Sequence, residues 1–350
     1  MKKFTLYILT AFGLMGLATS CNDFGDVNND PMNLNPGVVD YKMEFTQVEA
    51  QICGSDWDVW RNGCIYTANM IQHTASVDWA YGVFYTWNDQ YSGAYWGGFY
   101  SGGRAAIRNI IDVMNNWEGN PAYANEYQMC RILKAYMFQN MTDLYGDVPY
   151  SEAGQGYSTN PIPYPKYDTQ EAIYNDLLKE LDEAQAALST SAGNTIGAAD
   201  VIYNGDAAKW KKFANSLMLR VAMRLTKVAP DKAKTWVAKA VSNGLFVSND
   251  DNAIVRHTNG SPSDDSAEPY GKVFSSLDTQ AFYISETFIN ILQDDPRLPL
   301  IATVCTRDPK PGWGDADFDL GDNTAAKQKG MPVGYDVSGG DWDLSKAPSY

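Results

Sequence analysis

Residues Tyr123 to Ala153 read YANEYQMCRILKAYMFQNMTDLYGDVPYSEA, and this stretch decides the fold. Tyr127, Ile132, Leu133, Tyr136, Met137, Asn140 and Met141 return at spacings of three, four and five. That spacing predicts a helix with most of these side chains on one face, turned toward a partner helix. Gly146 can take the left-handed conformation that closes a helix, and Pro149 forces Val148 out of the helical region. The helix is therefore predicted to stop within a residue or two of Tyr145, and the chain to leave extended.

Downstream, Pro161, Pro163 and Pro165 predict an extended crossing over 154–167 rather than a strand. Asp168-Thr169-Gln170-Glu171 reads as a capping box, followed by a stripe of Ile173, Leu177, Leu178, Leu181, Ala184 and Leu188. Asp206 caps a further helix in which Trp210, Phe213, Ala214, Leu217, Val221 and Leu225 repeat at three and four. Pro230 opens the next helix and Gly244 closes it. Upstream, residues 38–52 form a first helix on the pattern of Met43, Phe45, Val48 and Ile52.

Three segments in order carry a family resemblance: Leu144-Tyr145-Gly146-Asp147-Val148-Pro149-Tyr150, the helix from Lys209-Trp210 through Phe213-Ala214-Asn215-Ser216-Leu217 to Arg220 and Arg224, and Asp295-Pro296-Arg297-Leu298-Pro299. The chain resembles the SusD/RagB family of bacterial surface nutrient-binding lipoproteins over about Cys21 to Pro299. The resemblance implies a mainly α fold, a tetratricopeptide-like helical stack with an irregular, loop-rich ligand face. It also implies more helices than the sequence to Tyr350 contains, so a fragment or a truncated product is expected. Arg220 and Arg224 lie four apart on one helix face, and structural pairing is favoured over ligand contact.

Met1-Lys2-Lys3, an apolar run to about Ala18 and small residues before Cys21 read as a signal peptide over 1–20, too short to span a bilayer comfortably. Cys21 then becomes a lipidated first residue, although Leu17 lies four rather than three positions before it; ordinary cleavage beside an incidental cysteine is the alternative. Residues 21–37 are acidic and turn-rich, a tether, in which Asn28 to Pro31 resembles the N-x-D-P that opens the mature chain in one branch of the family. Residues 38–350 form the single helical domain. Removal of Lys2 and Lys3 takes the formal net charge of −15 to about −17, which argues against nucleic acid and anionic membrane as ligands.

Thirteen residues from Asp56 to Tyr100 are aromatic, enough to build either a core or a sugar-stacking surface. Trp87, Tyr91 and Tyr95 stand four apart and read as the buried face of a helix. Trp79, Tyr81 and Tyr85 follow no helical period and are the first candidates for an exposed binding loop, joined by Trp313 and Trp342 in the loop-like C-terminal part. Gly97-Gly98 and Gly102-Gly103 interrupt what would otherwise be one helix over 87–116, marking either a break or close helix packing, and lack phosphate-loop spacing. Residues 249–270 read as a polar surface insertion.

No cofactor is expected. Asp315, Asp317, Asp319 and Asp322 invite a calcium reading, but Gly321 is one place late for an EF-hand and Ala326 stands where the closing glutamate belongs, so an acidic loop is favoured. Cys53, Cys64, Cys130 and Cys305 have no metal-ligand spacing; a Cys53–Cys64 bridge is open, with free buried thiols favoured. His73 reads as structural, and His73 and His257 belong to no catalytic motif. Paired carboxylates for glycoside hydrolysis show no sequence sign. The resemblance implies capture of an oligosaccharide or peptide and its transfer into a SusC-like TonB-dependent channel at the outer membrane, with the chain held to lipid by its acyl anchor and no enzyme activity. An exported glycoside hydrolase, or an adhesin without a transport partner, are the alternatives.

Overall fold

The computed structural model describes residues 39–76, 78–102, 106–157, 160–257, 268–274, 282–304, 321–335 and 339–347. The expected leader, Cys21 and the tether lie outside these residues, as do Trp313, Cys305, Asp315, Asp317 and Asp319.

The main helices are α1 (Tyr41–Gln51), α2 (Val59–Ala68), α3 (Ala106–Trp117), α4 (Ala124–Tyr145), α5 (Gln170–Ala187), α6 (Ala207–Arg224), α7 (Pro230–Asn243) and α8 (Glu286–Leu292). Four short strands, β1 (Thr74–Ser76), β2 (Val148–Pro149), β3 (Tyr167–Asp168) and β4 (Phe282–Ile284), make two antiparallel ribbons, β1 with β4 and β2 with β3. From α3 to α7 each helix packs on the one before it, which is the helical stack.

The central helix α4 lies inside that stack, between α3 and α5. Met129, Ile132, Leu133, Met137, Phe138 and Met141 are buried on it, and so are Glu126, Gln139 and Thr142. Two packed flanks explain why a single apolar stripe described it incompletely: Tyr127, Tyr136 and Asn140, read as part of that stripe, are only half-buried. Polar side chains on the second flank are satisfied by neighbours. Arg220 donates to Gln139 Oε1 from Nε and Nη2 at 3.1 and 2.9 Å, and its guanidinium lies 5.2 Å from the Tyr136 ring centre. Arg224 Nη2 is 3.3 Å from Asp143 Oδ2. Both arginines thus have structural partners.

The helix ends at Tyr145, as its sequence requires. Gly146 has φ +77° and ψ −121°, a backbone region closed to side chains. Beyond it, Val148 pairs with Asp168 and Pro149 with Tyr167. Asp147 Oδ1 accepts from Gln170 N at 2.8 Å, and Gln170 Nε2 donates to Thr142 O at 2.7 Å. This clip binds the end of α4 to the start of α5.

Several local expectations are corrected. Tyr167 and Asp168 belong to a strand, and the cap of α5 is Thr169, whose hydroxyl accepts from Ala172 N; Asp168 is already committed to Ser151 N at 2.7 Å. Within the crossing, Gln155–Tyr157 is a 3-10 turn. The helix expected over 87–116 is interrupted, but first at Gly93, between Asp89–Ser92 and Ala94–Trp96; Gly97 and Gly98 lie in a π-helical turn, Gly97–Ser101, and the backbone becomes extended at Gly102. Cys53, Cys64 and Cys130 are free, so no Cys53–Cys64 bridge exists, and Cys53 is exposed rather than buried. In the polar segment after 249, Asp251 is buried and held by Lys212 at 2.7 Å.

Candidate functional site: an aromatic surface beside the stack

Helix α2 is π-helical and continues a single α-turn, Asp56–Asp58, whose Ser55 cap and Asp58 side chain bond reciprocally. It buries Trp60, Cys64, Ile65 and Tyr66 with Val273 and Phe282, and Trp79, Tyr81 and Tyr91 pack against this cluster. Trp60 meets Trp79 edge-on at 5.0 Å between ring centres, and Tyr91 meets both Trp79 and Tyr81 at 5.7 Å. Two of the sequence candidates, Trp79 and Tyr81, are therefore brought together, half-buried in an aromatic core.

The turn after them is fixed to α2 by its backbone. Asn69 Nδ2 donates to Trp79 O at 3.0 Å, Gly82 N to Ile65 O at 3.1 Å, and Tyr66 OH to Thr86 O at 3.3 Å. Ser76 Oγ accepts from Trp79 N at 3.0 Å. These bonds leave Phe84, Tyr85 and Trp87 pointing to solvent. Tyr85 is 75% exposed with φ +53°, a conformation rare for an aromatic residue, and Trp87 is 76% exposed.

The four-residue spacing of Trp87, Tyr91 and Tyr95 assigns Trp87 to the core, and the structure overturns this. Asn88 caps the Asp89–Ser92 helix by accepting from Tyr91 N at 3.3 Å, so Trp87 lies before the helix starts. Its Nε1 donates to Asp89 Oδ1. Together with Asp89, Trp96, Tyr145 and Tyr167 it lines an open cleft of about 290 Å³. Trp96 stacks on Tyr167 at 6.0 Å with an angle of 23°, and Tyr145 meets Trp96 edge-on at 5.5 Å. Tyr145 OH donates to Ser92 O at 2.8 Å and accepts from Trp96 N at 3.1 Å. Burial pushes the Tyr145 hydroxyl above its ordinary range despite the N–H it accepts from Trp96, so it stays a neutral group. Tyr167, 62% exposed, reaches the cleft because β3 is clipped to β2.

Sequence reasoning missed Trp87, Trp96 and Tyr167. The signal for Trp87 was present in Asn88-Asp89, a helix start, with Gly93 breaking the period. Tyr167 had none, since it depends on a strand pair 18 residues long in sequence separation, from Pro149 to Tyr167. Trp342 is exposed and packs edge-on against Tyr335 at 5.7 Å. The His73 ring packs against that of Phe288, 4.5 Å between centres and tilted by 34°, a packing role. Among the described residues no group of three or more His, Cys, Asp or Glu is placed to hold a metal ion.

A family model of SusD-like proteins, described as "Starch-binding associating with outer membrane", matches residues 39–339. The chain belongs to the SusD-like family.

Solved SusD-like structures agree with the helical stack. A chitin-binding protein shares 29% identity with a TM-score of 0.71, the match covering 88% of this chain and 63% of that one. A SusD-like protein of Bacteroidetes shares 33%, with a TM-score of 0.65 and coverage of 74% and 50%. A chitin-binding SusD homolog from Flavobacterium johnsoniae shares 27%, with a TM-score of 0.62 and coverage of 74% and 53%. This SusD-like chain thus spans 50–63% of the length of these relatives. No curated protein matches it. SusD-like proteins are binding proteins rather than enzymes, and the family is described as associated with the outer membrane. Among the described residues no helix is long and apolar enough to cross a membrane.

Proposed function

We propose that the chain captures glycans at the cell surface on its aromatic face and passes them to a SusC-like TonB-dependent channel. The observation that carries this reading is the Trp87–Trp96–Tyr167 cleft. The rings of Trp87 and Tyr167 stand in water and that of Trp96 is half-buried, on a frame fixed by hydrogen bonds, beside the Asp89 carboxylate and the Tyr145 hydroxyl. A monomer has no folding reason to expose such surface, whereas a pyranose ring offers the C–H face and the hydroxyl rim that would cover it.

Tyr85, on the same turn, extends the aromatic surface, with the half-buried Trp79 and Tyr81 as its support. Trp313 and Trp342 are further contributors. Chitin oligosaccharides are the first ligands to try, because two relatives at 29% and 27% identity are named for chitin binding. A peptide is the other ligand class an aromatic face serves. Acylation of Cys21, after removal of residues 1–20, holds the domain at the outer membrane through the acidic tether.

Affinity electrophoresis of the full chain through gels containing soluble glycans tests the capture step. At least one glycan retards the wild type, and the same glycan retards Trp87→Ala less. Co-purification from membranes in mild detergent tests the partner. A TonB-dependent channel recovered in stoichiometric amount supports the transport role, and a channel-free protein contradicts it.

A further inference from the structure

A second cleft, of about 770 Å³, is lined by other residues than the aromatic cleft and differs from it in chemistry. Its wall includes Gln51 at the end of α1, Trp57 and Arg61 on the α2 segment, Lys272, and the backbone of Gly97 and Gly98. The Arg61 guanidinium lies over two rings, 5.1 Å from the Trp57 ring centre and 5.8 Å from that of Tyr91. Its Nε is buried and has no hydrogen-bond partner among the described residues. Gln51 Oε1, in the same cleft, is likewise buried without a partner.

The two carboxylates in the same wall, Asp56 and Asp58, are already engaged. Asp56 Oδ2 is 3.4 Å from Lys272 Nζ, and Asp58 Oδ2 accepts from Ser55 N at 3.0 Å and lies 3.3 Å from its hydroxyl. A buried N–H on a charged group held in one orientation is costly unless something accepts its hydrogen. The group that matches a fixed guanidinium is a carboxylate. Trp57, 45% exposed at the rim, adds a flat apolar face. Gln51 Oε1 adds an acceptor for a hydroxyl donor.

We infer that the cleft between Gln51, Trp57 and Arg61 is a binding site for an acidic sugar, its carboxylate on Arg61, its ring on Trp57 and a hydroxyl on Gln51. The site is separate from the Trp87 cleft. It takes the capture of glycans as given for the choice of a sugar, and the carboxylate requirement follows from Arg61 alone.

Isothermal titration of the full chain with digalacturonate, with the corresponding neutral disaccharide and with sodium acetate tests the assignment. Digalacturonate is expected to bind at least about tenfold tighter than either of the others, the range set by one charge-assisted hydrogen bond. Arg61→Gln is expected to lose that margin. Gln51→Glu, which keeps the side-chain shape and adds negative charge to the same wall, is expected to weaken digalacturonate to a similar degree, so the test does not depend on one variant folding. Neutral oligosaccharide binding measured on Arg61→Gln separates the two readings, since loss at Arg61 leaves the Trp87 cleft untouched. Equal affinity for digalacturonate and its neutral counterpart would overturn the inference, as would acetate binding as tightly as the sugar acid, or unchanged affinity in both variants.

Discussion

Gly82 lies against the backbone of Tyr66 so closely that a Cβ at position 82 would fall 2.6 Å from the Tyr66 carbonyl oxygen. The same glycine donates its N–H to Ile65 O at 3.1 Å. Only a residue without a side chain lets the aromatic turn seat on α2 at this distance. Gly82→Ala is expected to lift the turn from the helix, costing roughly 1–3 kcal/mol of stability. Thermal unfolding and glycan affinity should both fall, and an unchanged melting temperature would show that the turn does not need this contact.

Trp79 and Trp87, eight residues apart, should behave oppositely. Trp79 packs edge-on against Trp60 and Tyr91, so Trp79→Ala should cost about 2 kcal/mol or more in stability. Trp87 touches little of the core, so Trp87→Ala should leave stability within about 0.5 kcal/mol while weakening glycan binding by about 1–2 kcal/mol. Parallel melting curves and gel retardation distinguish the two.

The stack was legible in the sequence because its signals are local: apolar spacing in α4 to α6, Asp206 as a cap, Pro230 and Gly244 as the ends of α7. The aromatic surface was legible only in composition. Whether a tryptophan in residues 56–100 packs or projects is decided by partners far along the chain, such as Phe282 under Trp60 and Tyr167 over Trp96. Period alone therefore placed Trp87 in the core, and the loop reading of Trp79 and Tyr81 missed the cluster formed with Tyr91. The buried polar flank of α4 was hidden for the same reason, since Gln139 looks like a surface residue until Arg220 is beside it.

Glu49 is fully buried on α1, with Oε2 accepting from Val201 N at 2.8 Å. Burial, and then the Asp200 carboxylate beside it, push its carboxyl up to about 10 from 4.5. The folded state thus holds a proton that the unfolded chain releases above about pH 4.5. Its contribution is complete below that pH and is lost as pH rises toward 10, by up to about 1.4 kcal/mol per pH unit. Glu49→Gln keeps the shape and the acceptor for Val201 without the proton. Its melting temperature should exceed that of the wild type by an amount that grows between pH 5 and pH 9, and a constant difference would contradict a protonated Glu49.

Arg131 joins α4 to α5 through Glu180 at 2.9 Å and Glu183 at 2.6 Å. Burial would raise the Glu180 carboxyl, but the hydrogen bonds and charge of Arg131 outweigh it and hold that carboxyl below its usual range. Arg131→Met leaves Glu180 without its cation in a mostly buried place, and should cost roughly 2–4 kcal/mol at pH 7. The cost should shrink as Glu180 is protonated below pH 4, which denaturant titration at both pH values measures.

The most direct test is calorimetric titration of chitohexaose into the full chain and into the Trp87→Ala, Tyr167→Ala double variant. Capture on the aromatic cleft predicts saturable binding to the wild type and at least a roughly thirtyfold loss in the double variant, with its melting temperature unchanged. Equal affinity of the two proteins for the ligand would place capture elsewhere and contradict the role assigned to this surface.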